Sequence, residues 1–241
     1  MVMRLEFLGK YGGVPGEDSG CSSFIVENDN GYILFECGSG VHRKLLECKG
    51  LSELKAIIIS HLHFDHFNDL LTLYYQYKVE MPLKGLDRIT VYLPATPENI
   101  YDFLFASLKD VFNFAIIDET TELTLLGNVK ITFCGTQHDI ETYAMRIEDE
   151  FECYGYTADT GYFAKLLKFL SGVDLLIAES SLTSDLPKNT NHMTSYEAVE
   201  LAIRCKAQVV ILTHFWYELP LRKYKAEVEV FEGLITIKWN N

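Results

Sequence analysis

The 241-residue chain is short of positive charge: 21 lysines and arginines stand against 34 aspartates and glutamates, a formal net charge of −13. The basic residues are scattered, without the stripe that follows a nucleic-acid backbone, so a long polynucleotide is not the expected substrate. A small phosphate ester stays open, because a metal centre brings its own local positive charge. The cysteines Cys21, Cys37, Cys48, Cys134, Cys153 and Cys205 form neither a CxxC pair nor a zinc-finger spacing. They read as reduced, mostly buried thiols. No apolar run is long enough to span a bilayer. Residues 1–9 carry Arg4 and Glu6 and read as a strand, not a signal peptide. The expectation is a cytoplasmic protein with no membrane contact. No Pro/Gly/Ser linker, low-complexity segment or short repeat divides the chain, and no Gly-Lys-Ser/Thr follows the glycine-rich stretch 9–16, which excludes a Walker A loop.

Hydrophobic residues at 48% and charged residues at 23% argue for a globular protein and against disorder. The length suits one α/β domain over 1–241. Residues 3–8, 23–27 and 32–36 read as strands, the last two joined at the Asp29-Asn30-Gly31 turn. A helix over 41–48 follows, then the apolar run 56–59, typical of a buried strand, and a helix of 69–77 character. Further strands are expected at 88–93, 122–126, 129–134, 143–147, 152–157, 174–178, 208–212, 227–231 and 234–238. Helices are expected from near Pro97, over 162–170 and over 195–205. This count suggests an α/β fold of two mixed sheets with helices outside, a four-layer αββα sandwich.

The decisive stretch is Ser60-His61-Leu62-His63-Phe64-Asp65-His66, after the buried strand 56–59 and before a helix. Ligands there sit at a strand's carboxyl end, where α/β proteins place their sites. His61 and His63, two apart in extended backbone, point the same way and can hold one ion. Asp65 and His66 fall where the chain turns and can reach a second. With seven histidines in the whole chain, such a window is a rare accident, although motif searches carry false positives. His138, Asp159 and His214 each lie just past an expected strand, as a shared site requires. Imidazole with carboxylate suits zinc, manganese or iron.

His61-x-His63-x-Asp65-His66 followed by His138, Asp159 and His214 resembles the metallo-β-lactamase superfamily. The closest likeness is to its ribonuclease Z and phosphodiesterase branch. The glycine-rich loop that begins Leu8-Gly9-Lys10-Tyr11-Gly12-Gly13-Val14-Pro15, the Tyr-x-x-Asp-Thr setting of Asp159 and His192-Met193-Thr194 at a helix start carry that likeness. The resemblance implies two divalent ions, zinc first: His61, His63 and His138 on one, Asp65, His66 and His214 on the other, Asp159 bridging. It also implies a homodimer. His192 is assigned to chemistry, and His42 is left over as a surface helix residue.

There are departures. Phe67-Asn68-Asp69-Leu70 lacks the glycine that the family commonly has near position 69. Asp69 either supports the site or acts as an N-terminal helix charge, the favoured reading. The interval between His138 and Asp159 has no room for the tRNA-grasping arm of bacterial ribonucleases Z. The implied mechanism is attack of a metal-activated, bridging hydroxide on phosphorus, with Asp65 orienting the nucleophile and His192 as proton donor. The leading expectation is a phosphodiesterase for cyclic nucleotides or similar small phosphate diesters. Ribonuclease Z, a carboxyl-ester, lactone or thioester hydrolase, and a non-catalytic metal-binding protein are the alternatives. The loop 9–16 either lies over the site or merely joins strands. Phe64, Trp216 and Tyr217 either stack on a nucleobase or, the preferred reading, pack the rim.

Overall fold

The computed structural model describes residues 2–182, 191–216, 227–231 and 234–238. The chain divides into two compact units, Met1–Asp118 with Leu125–Gly127, and Glu119–Thr124 with Asn128–Asn241. Among the described residues no helix is long and apolar enough to cross a membrane.

The first unit holds β1 (Arg4–Tyr11), β2 (Gly20–Cys21), β3 (Ser23–Asn28), β4 (Gly31–Phe35), α1 (Val41–Cys48), β5 (Leu54–Ile58), α2 (Phe64–Lys84), β6 (Ile89–Leu93), α3 (Glu98–Leu108) and β7 (Phe112–Ile116). Its mixed sheet runs β2-β1-β3-β4-β5-β6-β7. The β3–β4 hairpin turns at Asp29-Asn30, with Asn28 opposite Gly31. From β4 onward the strands are parallel. Ile33, Leu34 and Phe35 of β4 and Ala56, Ile57 and Ile58 of β5 are fully buried. Strands covered on both faces have no polar side to alternate with, and each such aliphatic side chain contributes about 1.5–3 kcal/mol by leaving water. Helix α3 packs its Tyr101 and Phe105 edge-on to Phe114 of β7.

The second unit holds β8 (Glu122–Leu125), which ends at the border of the first, then β9 (Val129–Gly135), β10 (Tyr143–Glu148), β11 (Cys153–Tyr156), α4 (Ala164–Phe169), β12 (Leu175–Glu179), α5 (Ser195–Cys205), β13 (Val209–Thr213), β14 (Glu227–Phe231) and β15 (Leu234–Lys238). Its mixed sheet runs β14-β15-β13-β12-β11-β10-β9-β8. Strands β11, β12 and β13 are parallel, and α5 lies on β12 and β13. The two strands between His138 and Asp159 are β10 and β11, as expected. Helix α5 starts with a complete capping box: Thr194 Oγ1 accepts from Glu197 N–H, and Glu197 Oε2 accepts from Thr194 N–H.

Three sequence expectations need correction. First, α2 begins at Phe64, so Asp65 and His66 lie in its first turn, not in a turn before a helix at 69. An acidic residue is favourable there because it meets the positive end of the helix. The helix runs past Tyr77 through Pro82 to a left-handed cap at Gly85. Second, β7 had no counterpart among the expected strands; it is an edge strand of mixed exposure, parallel to β6. Third, Asp69 is not a charge on its own helix's start. Its Oδ2 accepts the His42 N–H at 2.9 Å, so it caps α1, whose N-cap position is Gly40. His42 is half-buried rather than a plain surface residue, its Nε2 2.6 Å from Gln76 Oε1. Replacing Asp69 by Ala is expected to cost about 1 kcal/mol, the usual worth of a lost cap; urea unfolding of Asp69→Ala against the parent protein measures it.

Candidate metal centre

In the first unit the candidate ligands come from the carboxyl end of β5 and the first turn of α2. His61 is fully buried. Its Nδ1 lies 2.9 Å from Ser60 Oγ, and its Nε2 lies 3.0 Å from His63 Nδ1. The rings of His61 and His66 are 4.0 Å apart. His66 Nδ1 is 3.4 Å from Glu36 Oε2, and its Nε2 is 3.5 Å from Asp65 Oδ2. Asp65 Oδ2 also accepts the Gly13 N–H at 2.7 Å, so the glycine-rich loop reaches an expected site residue.

The backbone explains how the first turn of α2 is held. Cys37 N–H donates to His66 O at 2.8 Å, and Asp69 N–H donates to Cys37 O at 2.9 Å. Gly38 lies so close that a Cβ there would sit 1.5 Å from Asp65 O, and only glycine permits that approach. Glu36, one residue past β4, is fully buried with φ 62°. Both its carboxylate oxygens face Ser60 N–H, at 3.2 and 3.3 Å.

In the second unit one oxygen is the focus. Asp159 Oδ2 lies 3.2 Å from His214 Nε2, 3.9 Å from His138 Nε2 and 4.0 Å from His192 Nδ1. Asp159, His192 and His214 offer ligand atoms all within 4.8 Å of one another. His138 Nδ1 donates to Asn191 O at 3.0 Å, and His214 Nδ1 lies 2.7 Å from Ser181 Oγ. In both rings Nδ1 is engaged, the arrangement that orients a metal-binding imidazole; His214 Nε2 faces Asp159, while His138 Nε2 lies 3.1 Å from Asp139 Oδ1 and 3.9 Å from Asp159 Oδ2. His214 and Ala158, which precedes Asp159, have φ of 59° and 49°, unusual backbone of the kind that clusters at functional sites.

Glu179, at the end of β12, ties this half together. It is almost wholly buried. Its Oε1 accepts from Thr160 N–H at 2.8 Å and lies 2.9 Å from His192 Nδ1. Its Oε2 accepts from Ser181 N–H and Oγ–H at 3.1 and 2.7 Å, and Ser181 in turn meets His214. Burial pulls the His192 pKa down, but the Glu179 carboxylate, with the charges of Asp159 and Asp139, outweighs it and pushes the pKa up to about 9.

Glu36, Gly38, Glu179 and Ser181 were not singled out from the sequence. A lone Glu or Ser at a strand end carries no spacing signal; only the register that lays β4 beside β5 and β12 beside β13 brings them to a histidine. The rim aromatics also differ from expectation. Phe64 and Trp216 are 62% and 53% exposed, though the Phe64 ring meets Phe67 edge-on. Tyr217 lies outside the described residues.

The donor set fits a divalent ion. Two imidazole nitrogens converge at 3.0 Å in one unit, and a carboxylate converges with imidazoles in the other. This mixture of nitrogen and oxygen donors suits zinc, manganese or iron. The thiols offer no rival chemistry: all six cysteines are free, and burial raises the pKa of each, which suppresses the reactive thiolate.

Known proteins agree with this picture. The beta-lactamase superfamily domain matches residues 32–215. The probable metallo-hydrolase YhfI of Bacillus subtilis is 31% identical over 98% of this chain and 96% of its own. The crystal structure of YhfI superposes with a TM-score of 0.82 over 90% of this chain and 89% of that one, at 30% identity. Ribonuclease Z of Picrophilus torridus is 26% identical over 89% of this chain and 86% of its own. A diphosphatase from the PhnP family shares the fold, with a TM-score of 0.70 over 89% of this chain and 87% of that one, at 20% identity. The chain belongs to the metallo-β-lactamase superfamily, in its ribonuclease Z and phosphodiesterase-like branch, and is a metallo-hydrolase.

Proposed function

We propose that the protein is a metal-dependent phosphodiesterase acting on small phosphate diesters, cyclic nucleotides among them. In this reading His61, His63 and His138 hold one ion, Asp65, His66 and His214 hold the other, and Asp159 bridges them, zinc being the first candidate. The observation that carries the reading is the placement of His192, whose Nδ1 lies 2.9 Å from the buried Glu179 carboxylate and 4.0 Å from Asp159 Oδ2. A proton donor so placed serves a reaction that expels a poor leaving group such as an alkoxide.

Ions held by these residues would supply an activated water and offset charge on the non-bridging phosphate oxygens. Asp65, one oxygen on the Gly13 N–H, orients that water and takes its proton. His192 gives a proton to the departing oxygen, and Glu179 keeps it charged and aimed. The relatives named ribonuclease Z and diphosphatase favour phosphate over carbonyl chemistry. The net charge of −13 weighs against a long RNA. Phe64, exposed between His63 and Asp65, offers a ring on which a nucleobase can stack.

After metal restoration, bis-p-nitrophenyl phosphate and cyclic nucleotides are expected to be cleaved faster than lactones or a precursor tRNA with a 3′ trailer. Preference for the tRNA or for lactones would replace this reading with that one. Asp159→Ala should lose bound metal as well as turnover; full retention of both rejects the bridge.

His192→Ala should lower kcat by about 10²–10⁴-fold for alkoxide leaving groups and much less for nitrophenolate. An equal loss for both rejects the proton-donor role. Because the His192 pKa is raised, the donor is present at neutral pH and is lost as pH rises through about 9. Glu179→Gln removes the main stabilising charge and should shift that alkaline limb to lower pH. Phe64→Ala should raise KM for nucleoside diesters, by about tenfold if stacking contributes its usual 1–3 kcal/mol, and leave dialkyl phosphates unchanged.

A further inference from the structure

Loop 12–19, between β1 and β2, is built as a braced arm. Gly13 has φ 70°, and Val14 N–H donates to Gly12 O at 2.8 Å. This closes a three-residue turn of the rare, strained hand. The turn presents the Gly13 N–H to Asp65 Oδ2 at 2.7 Å, across 52 positions of sequence.

The base of the arm is tied by three side chains. Lys10 Nζ meets Asp18 Oδ2 at 2.7 Å, and Tyr11 Oη donates to Asp18 Oδ1 at 2.8 Å. Lys10 Nζ also lies 5.1 Å from the centre of the Tyr11 ring. The Lys10 side chain is 8% exposed, against 61% for Asp18. A buried ammonium is costly without a partner, so Asp18, though itself near solvent, is drawn back onto Lys10 and brings the far end of the loop with it. Gly16 completes the tie: its N–H donates to Ser19 O at 3.0 Å, and a Cβ there would sit 2.3 Å from the Tyr11 ring.

We infer that Lys10, Tyr11 and Asp18 form a latch that holds the Gly13 N–H against Asp65, making them positioning residues for that carboxylate. A carboxylate with one oxygen fixed by a backbone donor has its second oxygen's direction set as well. Misplacement by about 1 Å at a reacting group can cost 10²-fold in rate. The inference rests on the reading of Asp65 as the group that orients the water and accepts its proton.

The test uses the full, metal-loaded chain with two readouts. Exchange of the Gly13 amide, followed by NMR, should quicken in Asp65→Ala and in Asp18→Asn. Turnover of bis-p-nitrophenyl phosphate by Asp18→Asn and Lys10→Met should fall about tenfold in kcat with KM within about twofold, and Asp18→Glu should restore most of it. The latch is overturned if Asp65→Ala leaves Gly13 exchange unchanged. It is equally overturned if Asp18→Asn frees that amide without lowering kcat, or if Asp18→Glu falls as far as Asp18→Asn. Should the parent protein cleave no phosphodiester, the exchange readout still decides whether the arm is held on Asp65, and only the functional reading falls.

Discussion

An imidazole can serve a metal or a proton transfer only if its other nitrogen is held, because the ring otherwise rotates and changes tautomer. That constraint organises the candidate ligands within each unit. His61 is met by Ser60, His138 by the carbonyl of Asn191, His214 by Ser181, and His192 by Glu179. The strands and loops around the centre are arranged to bring these partners within hydrogen-bonding distance.

The two units solve the problem in parallel ways. In the first, a buried glutamate follows a central parallel strand, and the neighbouring strand delivers a serine and a histidine: Glu36 beyond β4, Ser60 and His61 beyond β5. In the second, Glu179 ends β12, Ser181 follows it, and His214 stands beyond β13. Each glutamate takes the N–H of its serine and lies within 3.4 Å of a histidine nitrogen. A buried carboxylate costs several kcal/mol unless it is hydrogen-bonded and paired. Glu179 has four such partners, the N–H of Thr160, the N–H and Oγ–H of Ser181 and the ring of His192. The left-handed backbone at Glu36 and His214 belongs to the same design, since the chain must turn sharply to aim these side chains.

Burial divides the chemistry among the side chains. It raises the pKa of every cysteine and leaves them as packing groups, while the raised pKa of His192 depends on a carboxylate that outweighs burial. Exposure divides roles as well. Phe64 follows His63 directly yet faces solvent, whereas Phe67, one turn on, is buried and holds the Phe64 ring edge-on at 5.6 Å between centroids. The start of α2 thus carries His66 inward and one aromatic face outward.

The candidate ligands were legible in sequence because their pattern is local: an HxHxDH cluster after an apolar run, and a His or Asp just past later strands. Most strands and the starts of α1 and α5 were legible too, from the pattern of apolar residues and turn signals. The partners of those ligands were not. Asp69 reads as an ordinary acid in a helix, yet it caps a different helix, and Glu36, Gly38, Glu179 and Ser181 have no spacing that marks them. What the amino-acid order determined by itself is which side chains can bind metal and at which strand ends they emerge. Which partner holds His138, His192 and His214, and that Glu179 lies against His192, only the tertiary structure decided, because hydrogen bonds between residues far apart in sequence exist only once strand register has set their distance.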